Sequence, residues 1–194
     1  MAMTQSSALL RQARSRSDQT QRAVAARAGI AQPTIAAIES GRRDATVSTI
    51  SRLVEATGCQ LGLLPTLAPS TAAVAAVIQH ELRDGNEPTA FRHVIQLSDD
   101  LLAAEPALAV ALCVQPPTPT GSGRYDALLA ALVEHRLRAR RLPVPAWVRE
   151  PRRTLAQPTP LIDAAWYREL AEQTAPPAFR KHNVLIPAGE LESV

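Results

Sequence analysis

Residues 25–41, AARAGIAQPTIAAIESG, decide the fold of the N-terminal part of this chain. Ala25 stands four residues before Gly29, Ile30 follows the glycine directly, and Ile35 and Ile38 come six and nine residues after it. A small side chain at 25 lets two helices cross closely, and a glycine takes the positive φ of a sharp turn without a Cβ clash. Isoleucines at 30, 35 and 38 then lock the following helix at a fixed angle. Pro33 suits a first helical turn, where its missing N–H would be unpaired anyway. The spacing predicts helices over 21–28 and 33–40 joined by a tight turn. It also predicts that Gln32, Pro33, Thr34, Ala37 and the Arg42-Arg43 pair face outward, with little apolar surface needing cover.

Working outward, Leu9, Leu10 and Ala13 give an earlier helix an apolar side, with Arg11 to Arg16 continuing it until the chain turns at Ser17-Asp18-Gln19. Thr20 is an N-cap candidate for the second helix, whose inner side is Val24, Ala25 and Ala28. Gly41 closes the third. Thr46 caps a fourth, 47–57, that buries Ile50, Leu53 and Val54 and ends at Gly58. Cys59-Gln60-Leu61-Gly62-Leu63-Leu64 then alternates at period two, which predicts a short strand near 59–64 before Pro65. A lone strand needs a partner. A second copy of the chain, pairing with Val184 to Ile186, and an unpaired extended linker all remain open.

Composition bounds the rest. Of 194 residues 46% are apolar and only 3% aromatic, so the core must be built of Leu, Ala, Val and Ile, and a mainly all-α fold is expected. Domains are expected at 1–65 and 66–194, the second mostly helical. Helical spacing marks 71–84, 88–104, 106–114 and 125–142, with a Pro/Gly loop or linker at 115–123. A short helix around 163–174 and a terminal piece over 179–191, with a strand at 184–186, complete the reading. No apolar run approaches the roughly 20 residues of a bilayer span and no signal-like stretch opens the chain, so a cytoplasmic location with no membrane contact is expected. Up to Pro65 there are eight arginines against four acids, and beyond it thirteen basic against fourteen acidic residues. The positive excess is N-terminal. Arg can grip phosphate and guanine bidentately, although the near-absence of Lys also fits a GC-rich genome.

At this point the run from Leu9 to Pro65 resembles the Cro and lambda repressor-like helix-turn-helix family, also called xenobiotic-response-element regulators. The residues that carry the resemblance are Thr20-Gln21, Ala28-Gly29-Ile30, Gln32-Pro33-Thr34-Ile35 and Ile38-Glu39-Ser40-Gly41-Arg42-Arg43-Asp44. It implies a four- to five-helix N-terminal domain that docks on double-stranded DNA. Gln32 and Thr34 would then reach base edges, Gln32 being suited to a bidentate contact with adenine, and Pro33 and Ala37 would lie against the groove. Thr20, Gln21, Ser40, Arg42 and Arg43 would hold phosphates. Arg14 and Glu39 would pair as a structural link, with Ala25, Gly29, Ile35 and Ile38 as frame. In part of this family the strand after the fourth helix pairs with its copy, which implies a homodimer on an inverted-repeat operator. The sequence departs from the pattern at Ala31, which offers no capping side chain, at Gln19, and at the short Ala36 and Ala37.

Nothing in the remainder points to an enzyme. His80, His93, His135 and His182 stand apart, no phosphate loop or nucleophile motif occurs, and Cys59 and Cys113 have no metal-ligand spacing, so no catalytic residue, metal or cofactor is expected. Asp99-Asp100 is expected on a solvated face. Arg136, Arg138, Arg140 and Arg141 are expected either to complement a helix dipole or to contact DNA or a partner. Trp147, Trp166 and Phe179 form a small core or a partner-binding surface. The tail resembles the C-terminal parts of helix-turn-helix proteins encoded beside nucleotidyltransferase-like toxins. That resemblance implies the autoregulating antitoxin of a toxin–antitoxin pair: a sequence-specific repressor that binds its toxin through the C-terminal region. Two alternatives remain. One is a stand-alone repressor whose C-terminal domain senses a small ligand or dimerises, the other a protein-binding module without DNA readout.

Overall fold

Four short helices build the N-terminal part: α1 (Gln5–Arg16), α2 (Gln21–Ala28), α3 (Gln32–Glu39) and α4 (Val47–Ala56). The structure, a computed structural model, describes residues 5–62 and 68–191. The chain divides into two compact units, Met1–Leu64 and Pro65–Val194. Among the described residues the fold is mainly α, with ten α-helices and one two-stranded sheet.

In the first unit the Thr20 hydroxyl accepts from the Ala23 N–H and the Thr46 hydroxyl from the Thr49 N–H, satisfying donors that a helix start leaves free. Gly29 ends α2 at φ 63°, in the left-handed region that a Cβ disfavours. Ala31 makes no side-chain cap, and Pro33 sits in the first turn of α3. Leu10, Val24, Ile35, Ile38 and Leu53 close over one another with no exposed surface. Burying each such side chain stabilises by about 1.5–3 kcal/mol, so this small cluster holds four short helices that would not persist alone.

Cys59 to Gly62 carry no ladder, and Leu63 and Leu64 lie outside the described residues. The intrachain partner considered for this segment is engaged elsewhere. Val184–Leu185 (β2) pairs in parallel with Thr159–Pro160 (β1), in register Thr159 with Val184. Over residues 59–62 the short strand expected near 59–64 is not formed.

The second unit opens with α5 (Thr71–Arg83). Gly85, at φ 74°, turns the chain into α6 (Glu87–Ala103), which packs back on α5. Then come α7 (Pro106–Val114) and α8 (Gly123–Ala139). Twelve of the seventeen α8 residues are buried, which makes it the central helix around which α6, α7, α10 (Pro177–Lys181) and the 3-10 turns Ala146–Arg149 and Pro151–Arg153 are laid. α9 (Ala165–Thr174) packs on the small sheet through Tyr167 and Ala171. The segment at 115–123 is a pinned loop, not a linker, and Gly123 already belongs to α8. Prolines deprive the loop of donors, so neighbouring side chains take its carbonyls. Arg153 Nη2 donates to Pro117 O at 2.5 Å and Gln79 Nε2 to Pro119 O at 2.9 Å, while the Thr120 hydroxyl donates to Asp126 Oδ1 at 3.0 Å.

Tertiary contacts decide three points of the C-terminal half, and the first of them overturns a partner-binding role for two aromatics. Trp147 and Phe179 are 5% and 0% exposed, with Trp147 Nε1 donating to the Cys113 carbonyl, so both are core residues and not a partner-binding surface. Of the arginine run, Arg136 and Arg138 stand in the last turn of α8, as dipole complementation requires, and three members also brace the unit: Arg136 donates to Ser98 Oγ and Leu191 O, Arg138 pairs with Glu134 at 2.8 Å, and Arg140 donates to Leu101 O, while Arg141 is exposed. His182 is not isolated. It is buried, its Nε2 2.9 Å from Glu134 Oε2 and its Nδ1 2.6 Å from the Arg153 carbonyl.

Candidate nucleic-acid interface

The two faces of α3 differ in the way the isoleucine spacing requires. Ile35, Ile38 and Glu39 are buried, whereas Gln32 and Pro33 are exposed and Thr34 and Ala37 half-buried at the surface. Gly29 places this outward face next to the N-terminus of α2, where Thr20 is exposed. Ser40, Arg42 and Arg43 follow α3 and are all exposed. The Arg42 Nε donates to Ser40 Oγ at 2.9 Å, and the Arg43 N–H is tied to Ala37 O at 3.1 Å. The fold thus gathers Thr20, Gln21, Gln32, Thr34, Ser40, Arg42 and Arg43 from two helix starts and one helix end.

A chain of polar contacts runs from the interior of this unit to its surface. Arg14 Nε donates to Glu39 Oε1 at 2.7 Å and Arg14 Nη2 to Oε2 at 3.1 Å, a bidentate pair; Gln21 Nε2 donates to the same Oε2 at 2.7 Å. The Gln32 amide in turn donates to Gln21 Oε1 at 3.1 Å. Gln21 is therefore half-buried and faces Gln32, an arrangement that orients Gln32 as much as it offers Gln21 to solvent. Burial alone would push the Glu39 carboxyl up. The Arg14 guanidinium, the Gln21 amide and the charge of Arg11 outweigh it and hold that carboxyl below the usual range, and Glu39 raises Arg14 in return.

Two functional supports escaped the sequence reading. Ser6 Oγ donates to Asp44 Oδ1 at 2.5 Å and Ser7 Oγ to the Glu39 carbonyl at 2.7 Å, anchoring the end of α3 and the loop after it on α1. The signal was present. Ser6, Leu10 and Ala13, like Ser7, Leu10 and Arg14, share a face at helical spacing. The hydroxyls of Thr46, Ser48 and Thr49 also cluster at the start of α4, close in sequence to Arg42-Arg43.

Exposed Arg22, Arg27, Arg42, Arg43 and Arg52 give the unit a basic surface. The outer face of α3 is mostly polar, its apolar part limited to Pro33 and the short Ala36 and Ala37, too small a patch to mark a protein-binding surface. Among the described residues no cluster of His, Cys, Asp or Glu could hold a metal ion, and no helix is long and apolar enough to cross a membrane.

Residues 7–67 match the family model described as a helix-turn-helix domain. This supports a DNA-binding regulator in general. No curated protein and no solved structure matches the chain.

Proposed function

We propose that the protein is a sequence-specific transcriptional repressor of the Cro and lambda repressor-like type, docking α3 in the major groove. The observation that carries this reading is the division of α3 between fully buried Ile35 and Ile38 and exposed Gln32 and Pro33. Gln32 and Thr34 read base edges, and Pro33 and Ala37 contact thymine methyls. Thr20, Ser40, Arg42 and Arg43 hold phosphates, Gln21 sharing that task with positioning Gln32. Ala25, Gly29 and the Arg14–Glu39 pair keep the two helices at their angle.

The operator reading adds a homodimer, with two α3 helices about 34 Å apart on an inverted repeat. Its support is the segment after Gly58, which lacks a ladder up to Gly62 and leaves Leu61 40% exposed. The protein acts in the cytoplasm as the autoregulating antitoxin of a nucleotidyltransferase-like toxin, the second unit holding the toxin and the first repressing the operon.

Selection of bound sequences from random duplex DNA tests the core of this reading. An inverted-repeat site should emerge, and Gln32→Ala should relax preference at one base pair per half-site by about 1–3 kcal/mol. If a dimer makes on the order of 6–10 phosphate contacts, affinity should fall about 10³–10⁵-fold between 50 and 200 mM salt. A flat salt response, or a double variant Gln32→Ala/Arg42→Ala that binds as well as the parent, would sink it. Co-purification with the product of the neighbouring gene tests the antitoxin assignment separately.

A further inference from the structure

The second unit exposes an apolar strip on α9 that none of its own described elements covers. Trp166 and Leu170 stand one helical turn apart on the same side, 66% and 43% exposed. Ile162, 48% exposed, lies in the turn that leads into the helix. The opposite side of α9 is different, with Tyr167 and Ala171 fully buried against the sheet. A cavity of about 370 Å³ adjoins the strip, and Ile162 lines it together with Pro88, Phe91 and Leu161. The two are physically joined on a second path: the Trp166 ring stands edge-on to Tyr167 at 5.7 Å, and the Tyr167 hydroxyl donates to Glu190 Oε2, a cavity-lining carboxylate.

Charge says what covers this surface. Glu87 and Glu190 line the cavity with Arg124, and Asp163 and Glu169 stand exposed beside the strip with Arg168, while Arg180 is tied to the Gln173 and Ala175 carbonyls at the far end of α9. Arg124 pairs with Glu87 and donates to Leu161 O, and Arg168 lies 3.8 Å from Asp163, so among the described residues Glu169 and Glu190 are the carboxylates of this surface that no cation faces within 4 Å. The surroundings are acidic, in a chain whose net charge is +3. We infer that the α9 strip and the adjoining cavity form one docking surface for a basic amphipathic segment of a partner protein, which seats an apolar side chain in the cavity and sets its cations against the carboxylates. Tryptophan is enriched among the residues that carry most of the binding energy at protein interfaces. Opposite charge around it selects the partner and speeds encounter. This deepens the reading that the second unit holds a partner, and rests on it.

The test uses the full chain and two synthetic amphipathic helical peptides, identical in their leucine face but carrying lysines or glutamates on the rim. Trp166 emission reports binding, because the only other tryptophan, Trp147, is buried. The lysine peptide should bind and shift the emission to the blue. Trp166→Ala, followed by calorimetry, should weaken binding at least about tenfold. Asp163→Lys/Glu169→Lys should turn preference toward the glutamate peptide. Both variants should keep the parent's thermal midpoint and operator affinity. Equal binding of both peptides, binding by neither, or an undiminished Trp166→Ala affinity overturns the inference. So does self-association of the parent that Trp166→Ala abolishes, since the occupant would then be a second copy. Retention of the neighbouring gene product by Trp166→Ala sinks this surface alone; its absence from the parent sinks the partner-binding reading as well.

Discussion

Each unit buries one glutamate among several donors, and the two differ in where the contacts lead. Glu39, 4% exposed, takes Arg14 and Gln21, and the chain continues through Gln21 to exposed Gln32. Glu134, 1% exposed, takes Lys181, Arg138 and His182, and His182 continues to the Arg153 carbonyl, a fully buried residue's backbone. Both carboxyls are held below the usual range against the opposing pull of burial, Glu134 chiefly by the hydrogen bonds from Lys181 and His182. The same device thus serves two ends. In the first unit it carries order from the core to a surface side chain; in the second it fastens the C-terminal segment to the central helix.

The sharpest way to break this comparison is Glu134→Gln. Removing one partner of a buried ion pair typically costs 3–5 kcal/mol, but Lys181 and Arg138 are half-exposed and can turn to water, so we expect about 2–3 kcal/mol in urea unfolding of the second unit. Operator affinity at a temperature where both units are folded should stay unchanged. A loss below about 0.5 kcal/mol would show the network to be dispensable.

Arg14→Ala should cost the first unit about 2 kcal/mol, since it strips a buried carboxylate of its bidentate donor. It should also lower any operator affinity, because Glu39, Gln21 and Gln32 lose a fixed arrangement. Unchanged operator affinity with reduced stability would make the pair a brace only.

Acid should weaken both units. A carboxyl held below its unfolded value contributes stability that is fully present above about pH 4.3 and is lost as pH falls through the folded value. The slope of stability against pH for the first unit should flatten in Glu39→Gln, and that for the second in Glu134→Gln. A slope unaltered by its own substitution would assign the acid sensitivity to other groups.

The smallest expected effect is a gain. Ala31 has the extended backbone of an N-cap, φ −63° and ψ 133°, without a capping side chain. Ala31→Ser should stabilise the first unit by about 1 kcal/mol in thermal unfolding. No gain would mean that the serine hydroxyl does not reach an amide at the start of α3.

Legibility in sequence followed the range of the interactions. The bounds of α2, its Thr20 cap, its Gly29 stop and the Thr46 cap of α4 were readable because each is decided within four residues. The outward face of α3 followed from periodicity. Ser6 and Ser7 were missed although they share a face with Leu10, because small hydroxyls do not announce burial. The choice between core and surface for Trp147 and Arg136 could not be made locally, because their partners lie 34 and 55 residues away in sequence, where no local pattern reaches.

By itself the sequence determined a mainly helical chain, a tight glycine turn between two short helices, and which side of the second of them faces out. These rest on steric limits at single residues and on the helical repeat. Tertiary structure alone decided that Glu134, Arg136, Arg153 and His182 are interior, that residues 115–123 are fastened down, and that Trp166 is left at the surface while Trp147 is not. The cost of burying a charge or leaving an indole in water depends on what stands opposite it, and that is set only when distant segments meet.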